Sequence, residues 1–208
     1  MSAKLAEWNA RYLEATQKPL AEPASIVSEW LPLLPTGNAL DVACGTGRHT
    51  LLLATHCESV TAIDWSGAAL DILEDRSRKA KFPVRRVDVA TMTESTKHSA
   101  RGIQIVLADL EDLCLPAESF SLILCLEYLQ RPLFAQISSA LRPGGVLLME
   151  TFTRGQLDFS GGPRNPAYLL DPGELRTAFP ELHVLFYREL NAGQGIASLV
   201  AQKPNANC

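Results

Sequence analysis

Residues 38–50 read Asn38-Ala39-Leu40-Asp41-Val42-Ala43-Cys44-Gly45-Thr46-Gly47-Arg48-His49-Thr50. An apolar run, Ala39 to Ala43, breaks at a turn holding two glycines. A second apolar run, Leu51-Leu52-Leu53-Ala54, begins soon after Arg48. The pattern predicts a buried strand over about 38–44, a glycine turn, and a helix over about 47–56. Glycine permits backbone angles and close approaches that a Cβ forbids. The first amides of the following helix have no partner inside it and can bind a polar ligand group. Such an arrangement is a nucleotide-type site at the carboxyl end of a strand.

The alternation of strand and helix continues downstream. Ser59 to Ile63 predicts a second strand ending on Asp64-Trp65, and Ser66 caps a helix carrying Ala69, Leu70, Ile72 and Leu73. That helix ends among Arg76, Arg78, Lys79 and Lys81, charges suited to a C-terminus. Residues 82–103 alternate weakly at Val84 and Val87 and then turn polar, which predicts a loop or insertion with one short element. Ile103 to Ala108 predicts a third strand, ending at Asp109-Leu110. Phe120 to Leu126 predicts a fourth, apolar on both faces. Leu133 to Leu141 has helical spacing and is stopped by Arg142-Pro143-Gly144-Gly145, after which Val146 to Phe152 predicts a fifth strand. Asp171-Pro172-Gly173-Glu174 opens a helix to about Phe179. His183 to Leu190 and Ile196 to Lys203 predict a terminal antiparallel hairpin. Upstream, residues 3–17 and Ile26 to Leu31 read as amphipathic helices. The expectation is one α/β domain over 1–208: a helical cap at 1–37, a core at 38–152 with a mainly parallel sheet, and a lid loop, helix and hairpin at 153–208.

Composition narrows the function. At 208 residues, 47% apolar and 20% charged, the chain is ordinary globular protein. A formal charge of −4 gives no general attraction for nucleic acid. The basic cluster Arg76, Arg78, Lys79, Lys81, Arg85 and Arg86 lacks interleaved aromatics and reads as a solvated helix end. No apolar run reaches the roughly 18 residues of a membrane span, and the N-terminus has no secretory apolar region. The five cysteines are odd in number, widely spaced and without a Cys/His cluster, so reduced thiols and no metal are expected. These features together predict a cytoplasmic protein; they leave the oligomeric state open.

Asp64 stands 17 residues after Gly47, at a strand end, where a carboxylate can accept both hydroxyls of a ribose. Trp65 beside it can cover an adenine face. Asp109 can accept from an adenine amino group while the Leu110 N–H donates to the ring. Each also has an ordinary structural reading: a first-turn acid, a packed ring, a solvated loop acid. The dinucleotide fingerprint G-x-G-x-x-G fails at Thr50, and no G-x-x-x-x-G-K-[ST] loop occurs. An adenosine ligand without phosphates fits better than a pyrophosphate.

Four ordered motifs carry a resemblance: L-D-V-A-C-G-T-G-R at 40–48, A-I-D-W-S at 62–66, L-A-D-L at 107–110 and L-R-P-G-G-V-L-L-M-E-T-F at 141–152. Together they resemble class I S-adenosylmethionine-dependent methyltransferases. N-P-A-Y-L-L-D-P-G-E-L at 165–175 and the W-N-A-R-Y start at 8–12 are similar to the tellurite-resistance-type small-molecule branch. The resemblance implies a Rossmann-like, mainly parallel seven-stranded sheet with helices on both faces and a C-terminal antiparallel hairpin. It implies S-adenosyl-L-methionine as cofactor and a small-molecule methyl acceptor. Asp41, Ala43, Gly45 and Gly47 would line the methionine end, Asp64 would hold the ribose, Trp65 would flank the adenine, and Asp109 with Leu110 would read its edge. Cys125 and Leu126 would sit near the sulfonium. Beside the resemblance, Arg11 and Tyr12 have two readings: closing over the cofactor carboxylate, or ordinary positions of the amphipathic helix. Ala43 replaces the family's first glycine, a change expected to matter little to a backbone contact.

Methyl transfer relies mainly on alignment for in-line displacement. Glu127, Tyr128 and Glu150 are positioned at strand ends where a base could act, yet none is singled out, and no catalytic residue is named. Arg164, Asn165 and Tyr168 fall in a loop suited to a lid or to ordinary loop structure. The competing readings are a non-catalytic binding or partner subunit on a methyltransferase fold and a nicotinamide-dependent oxidoreductase.

Overall fold

A computed structural model describes residues 3–15, 20–95 and 101–205. The polar residues 96–100, the end of the first expected helix and Cys208 lie outside the described residues. The chain forms two compact units, residues 1–114 and 115–208.

In the first unit, α1 (Ala3–Ala15) and α2 (Ser25–Trp30) precede β1 (Asn38–Val42), α3 (Arg48–His56), β2 (Ser59–Asp64) and α4 (Gly67–Lys79). Then follow β3 (Val84–Val87), α5 (Val89–Ser95) and β4 (Gly102–Leu107). The strands lie in the order β3-β4-β2-β1, all parallel. β1 and β2 are buried along their whole lengths, as the continuous apolar runs require of a sheet covered on both faces. Ala62 of β2, Ile103 and Ile105 of β4, Cys44 and the α4 residues Leu70 and Leu73 share one buried cluster. Ser66 caps α4 by accepting the Ala69 N–H at 3.1 Å.

The main departure lies at 82–103. This stretch holds a strand and a helix, where one short element was expected. β3 is only four residues long, with two arginines at its centre, so it gives little periodic signal. It pairs with β4 in the register Val84↔Ile103 to Val87↔Val106. Asp88 then accepts the Thr91 N–H at 2.6 Å and starts α5.

The second unit contains β5 (Phe120–Leu126), α6 (Leu133–Ala140), β6 (Leu141–Phe152), α7 (Glu174–Thr177), β7 (His183–Asn191) and β8 (Gly195–Gln202). Their strand order is β5-β6-β8-β7, with β5 and β6 parallel and the β8 pairings antiparallel. The expected terminal hairpin is present. β6 starts at Leu141 rather than Val146, because the register slips between Phe120 and Leu122 and the Pro-Gly-Gly segment is accommodated as an irregularity. α7 is one turn long. Glu174 accepts the Asp171 N–H at 2.8 Å, the reverse half of a capping box, while the Asp171 side chain pairs with Arg154. Eight strands are present among the described residues, where seven were expected, and β3 is the addition.

Candidate functional site

The glycine turn is built from backbone positions that most side chains disfavour. Ala43, Gly45 and Gly47 all have positive φ, at 54°, 53° and 87°. Ala43 holds this conformation with a Cβ that meets the following carbonyl, which costs roughly 1 kcal/mol or more. Gly47 is required twice over, since a Cβ there would lie 2.2 Å from Leu73 Cδ1. The Gly47 N–H donates to the Cys44 carbonyl, and the Cys44 N–H donates to Ile63 on β2.

Two buried carboxylates sit behind the turn. Asp64 is 3% exposed. Its Oδ2 accepts the Gly45 N–H and its Oδ1 the Ser66 N–H, each at 2.9 Å. Burial raises its pKa, and the backbone donors at Ser66, Gly45 and Trp65 oppose that rise. A carboxylate offers about four acceptor positions. Hydrogen bonds from Gly45 and Ser66 fill two of them and the Trp65 N–H also faces the group, so capacity remains for a ligand hydroxyl. Asp41, 2% exposed, accepts the Thr50 hydroxyl at 2.6 Å. Burial pushes its pKa up to about 7; Asp64 adds to the rise, and the Thr50 hydroxyl and Arg48 oppose it.

Two further elements, α1 and α4, reach this turn. Tyr12 of α1 places its hydroxyl 3.2 Å from where a Gly45 Cβ would stand. Asn9, also on α1, accepts the Ser66 hydroxyl at 2.6 Å. Arg76 of α4 donates from Nη1 to the Thr46 carbonyl at 3.0 Å and to its hydroxyl at 2.6 Å. His49 accepts the Ala24 N–H at Nε2, 3.1 Å away, and so ties the segment before α2 to α3. Burial and the neighbouring Arg48 lower its pKa to about 4, so it is neutral near pH 7.

On the side toward β4, Leu107 pairs in register with Asp64, and the Ala108 N–H donates to the Asp64 carbonyl at 3.1 Å. Leu107 is 55% exposed although the four residues before it are buried. Asp109 is exposed and its Oδ1 accepts the Glu111 N–H at 3.0 Å; Leu110 is buried and Trp65 half-buried.

The structure therefore gathers Asp41, Ala43, Gly45, Gly47, Asp64 and Tyr12 at one turn, with Trp65, Asp109 and Leu110 following the adjoining strand ends. Arg11 is placed differently from Tyr12: it is exposed, with its guanidinium 4.8 Å from the Trp8 ring centre. Thr50, Arg76, Asn9 and Leu107 were not singled out as site residues from the sequence. Arg76 and Asn9 are recognisable only once α4 and α1 are folded back onto the turn.

In the second unit, Cys125 and Leu126 are buried at the end of β5, opposite Met149 and Glu150. The Tyr128 hydroxyl donates to Gln130 at 2.6 Å, and Glu150 accepts the Ser198 hydroxyl at 2.5 Å. Glu127 has φ 56° and donates its N–H to the Glu150 carbonyl. In the expected lid, Arg164 donates to the Leu157 carbonyl and Asn165 caps Ala167. Arg131 holds this segment, gripping Glu174 with both arms of its guanidinium and donating to the Ala167 and Leu169 carbonyls. No group of three or more His, Cys, Asp or Glu able to hold a metal occurs among the described residues.

Residues 40–149 match the model of the methyltransferase domain. A Schizosaccharomyces pombe protein, uncharacterized protein UNK4.09, is 30% identical over 186 residues, covering 74% of this chain and 53% of that protein. Trans-aconitate 2-methyltransferase of Delftia acidovorans is 28% identical over 197 residues, covering 90% of this chain and 66% of that protein. The chain thus spans about half to two thirds of the length of these curated relatives. The crystal structure of TehB from Haemophilus influenzae superimposes with a TM-score of 0.69 at 16% identity, covering 91% of this chain and 65% of that one, a likeness of fold. With its matched segment running from the first strand through the glycine turn to β6, the chain belongs to the methyltransferase domain family.

Proposed function

We propose that this chain binds S-adenosyl-L-methionine and catalyses transfer of its methyl group to a small-molecule acceptor. The observation that carries the reading is Asp64: a buried carboxylate at the end of β2, tied to the glycine turn through the Gly45 N–H and retaining acceptor capacity for a ribose hydroxyl. When bound, the cofactor supplies an electrophilic methyl group on a sulfonium sulfur. In this reading the turn Ala43–Gly47 and Asp41 line its amino-acid end, with Tyr12 lying over Gly45. Trp65 flanks the base, and Asp109 and the Leu110 N–H read its edge. Arg11 belongs to the rim, through its stack on Trp8. The residues act by orientation, which removes an entropic barrier to in-line displacement; no side chain is assigned as a base.

The fold likeness to TehB supports the tellurite-resistance-type branch, and the relative named for trans-aconitate supports a small organic acid as an alternative acceptor. Nucleic acid is disfavoured as a partner, because Arg78, Lys79 and Arg86 are paired with Glu74, Asp75 and Asp71. No described helix is long and apolar enough to cross a membrane, and the buried thiols of Cys44, Cys57 and Cys125 are free, which supports a cytoplasmic site. A labelled-methyl assay against tellurite, selenite, thiols and small carboxylic acids tests the activity. Turnover of any one identifies the acceptor class; cofactor binding without turnover on a broad panel favours a non-catalytic role.

A further inference from the structure

α4 touches the cofactor turn at more than one point. At its start, the Ser66 N–H holds Asp64 Oδ1. Midway, Leu73 packs so closely on Gly47 that no Cβ fits between them. One helical step later, Arg76 reaches 30 residues back in sequence and bonds both the carbonyl and the hydroxyl of Thr46. Thr46 lies between two glycines at positive φ, the most pliable part of the turn. A guanidinium presents donors in a rigid planar fork, and its bonds to neutral acceptors are charge-assisted. The other cations of this helix end are spent on carboxylates, Arg78 on Glu74 and Lys79 on Asp75. Arg76 bonds backbone and hydroxyl oxygen of the turn.

We propose that Arg76 is a positioning residue for the amino-acid end of the cofactor, acting through Thr46 to hold the turn Gly45–Gly47 in its binding shape. This rests on the cofactor assignment above. Its effect falls mainly on one end of the ligand, because at the nucleoside end Asp109 is bonded to Glu111 and Asp64 keeps the Ser66 N–H as well as that of Gly45.

The test is calorimetric titration of the full chain with two probes: S-adenosylhomocysteine, and 5′-methylthioadenosine, which keeps the nucleoside and sulfur but lacks the amino-acid carbons. Arg76→Ala is expected to weaken S-adenosylhomocysteine about tenfold and to leave 5′-methylthioadenosine within twofold, and Arg76→Lys to recover part of the loss. Arg78→Ala, two residues on and paired with Glu74, is the control and should change neither. Hydrogen exchange without ligand should show faster exchange at the Gly47 amide in Arg76→Ala. Equal weakening of both probes would mean general loosening and would overturn the positioning role. Unchanged affinity in Arg76→Ala, with affinity lost in Asp64→Ala, would overturn it while leaving the cofactor assignment intact. Unchanged affinity in both variants would overturn the two together.

Discussion

Gly47→Ala is the substitution whose outcome the structure constrains most tightly. Two independent costs add at this position. With φ at 87°, the new Cβ sits in a left-handed backbone, worth roughly 1–2 kcal/mol. It would also stand 2.2 Å from Leu73 Cδ1 and 3.2 Å from Leu73 Cγ, and Leu73 is fully buried in the cluster beneath α4. Overpacking of a core side chain that cannot swing away typically adds about 1–3 kcal/mol. The sum is roughly 2–5 kcal/mol, or about 2–4 °C of melting temperature per kcal/mol for a chain of this size. Urea unfolding followed by circular dichroism measures it directly. The two contributions separate in a double-mutant cycle with Leu73→Ala, which removes the clashing atoms but not the backbone strain. In that background Gly47→Ala should cost only the backbone part, about 1–2 kcal/mol. A loss below about 0.5 kcal/mol, or a cost that is the same with and without Leu73, would refute the packing argument.

The remaining predictions concern charge and mobility. Asp41 has a folded pKa near 7 against an ordinary 3.8, so the native state binds its proton more tightly than the unfolded chain. Stability from this group is full below pH 4 and is lost as pH rises through 7, at most roughly 4 kcal/mol. Asp41→Asn should therefore show a shallower fall in melting temperature between pH 5 and 8 than the parent chain; identical slopes would contradict the protonation state. Arg131→Ala frees the Ala167 and Leu169 carbonyls and Glu174, and should speed hydrogen exchange across 166–175 while lowering stability by about 1–2 kcal/mol. Arg131→Lys should recover little, because an ammonium cannot span the same acceptors; full recovery would show that charge alone suffices.

Much of the fold is legible in the chain because burial imposes short, strong patterns. β1, β2 and β5 are covered on both faces and read as unbroken apolar runs. Gly45, Gly47 and Asp64 announce themselves by residue type at strand ends. What stays hidden depends on contacts far apart in sequence or on backbone angles. Arg76 looks like one more cation in a basic helix end; its bonds to Thr46 exist only after α4 folds onto the turn. Ala43 looks innocuous until its φ is known. β3 escapes notice because four residues with two arginines carry no period, and Leu107 continues an apolar run although its side chain emerges into solvent beside Asp64. Arg11 and Tyr12 are neighbours in sequence, yet one lies on the Trp8 ring and the other over Gly45.

The most direct measurement is calorimetric titration of S-adenosylhomocysteine into the full chain and into its Asp64→Ala variant. In the proposed site, loss of the carboxylate removes a charge-assisted acceptor contact to the ribose, roughly 1.5–3 kcal/mol, which corresponds to at least about tenfold in affinity. The prediction is stoichiometric binding by the parent chain and binding weakened by that factor in the variant. No heat of binding with the parent chain, or equal affinity in both, would contradict the assignment of the glycine turn and Asp64 as the cofactor site.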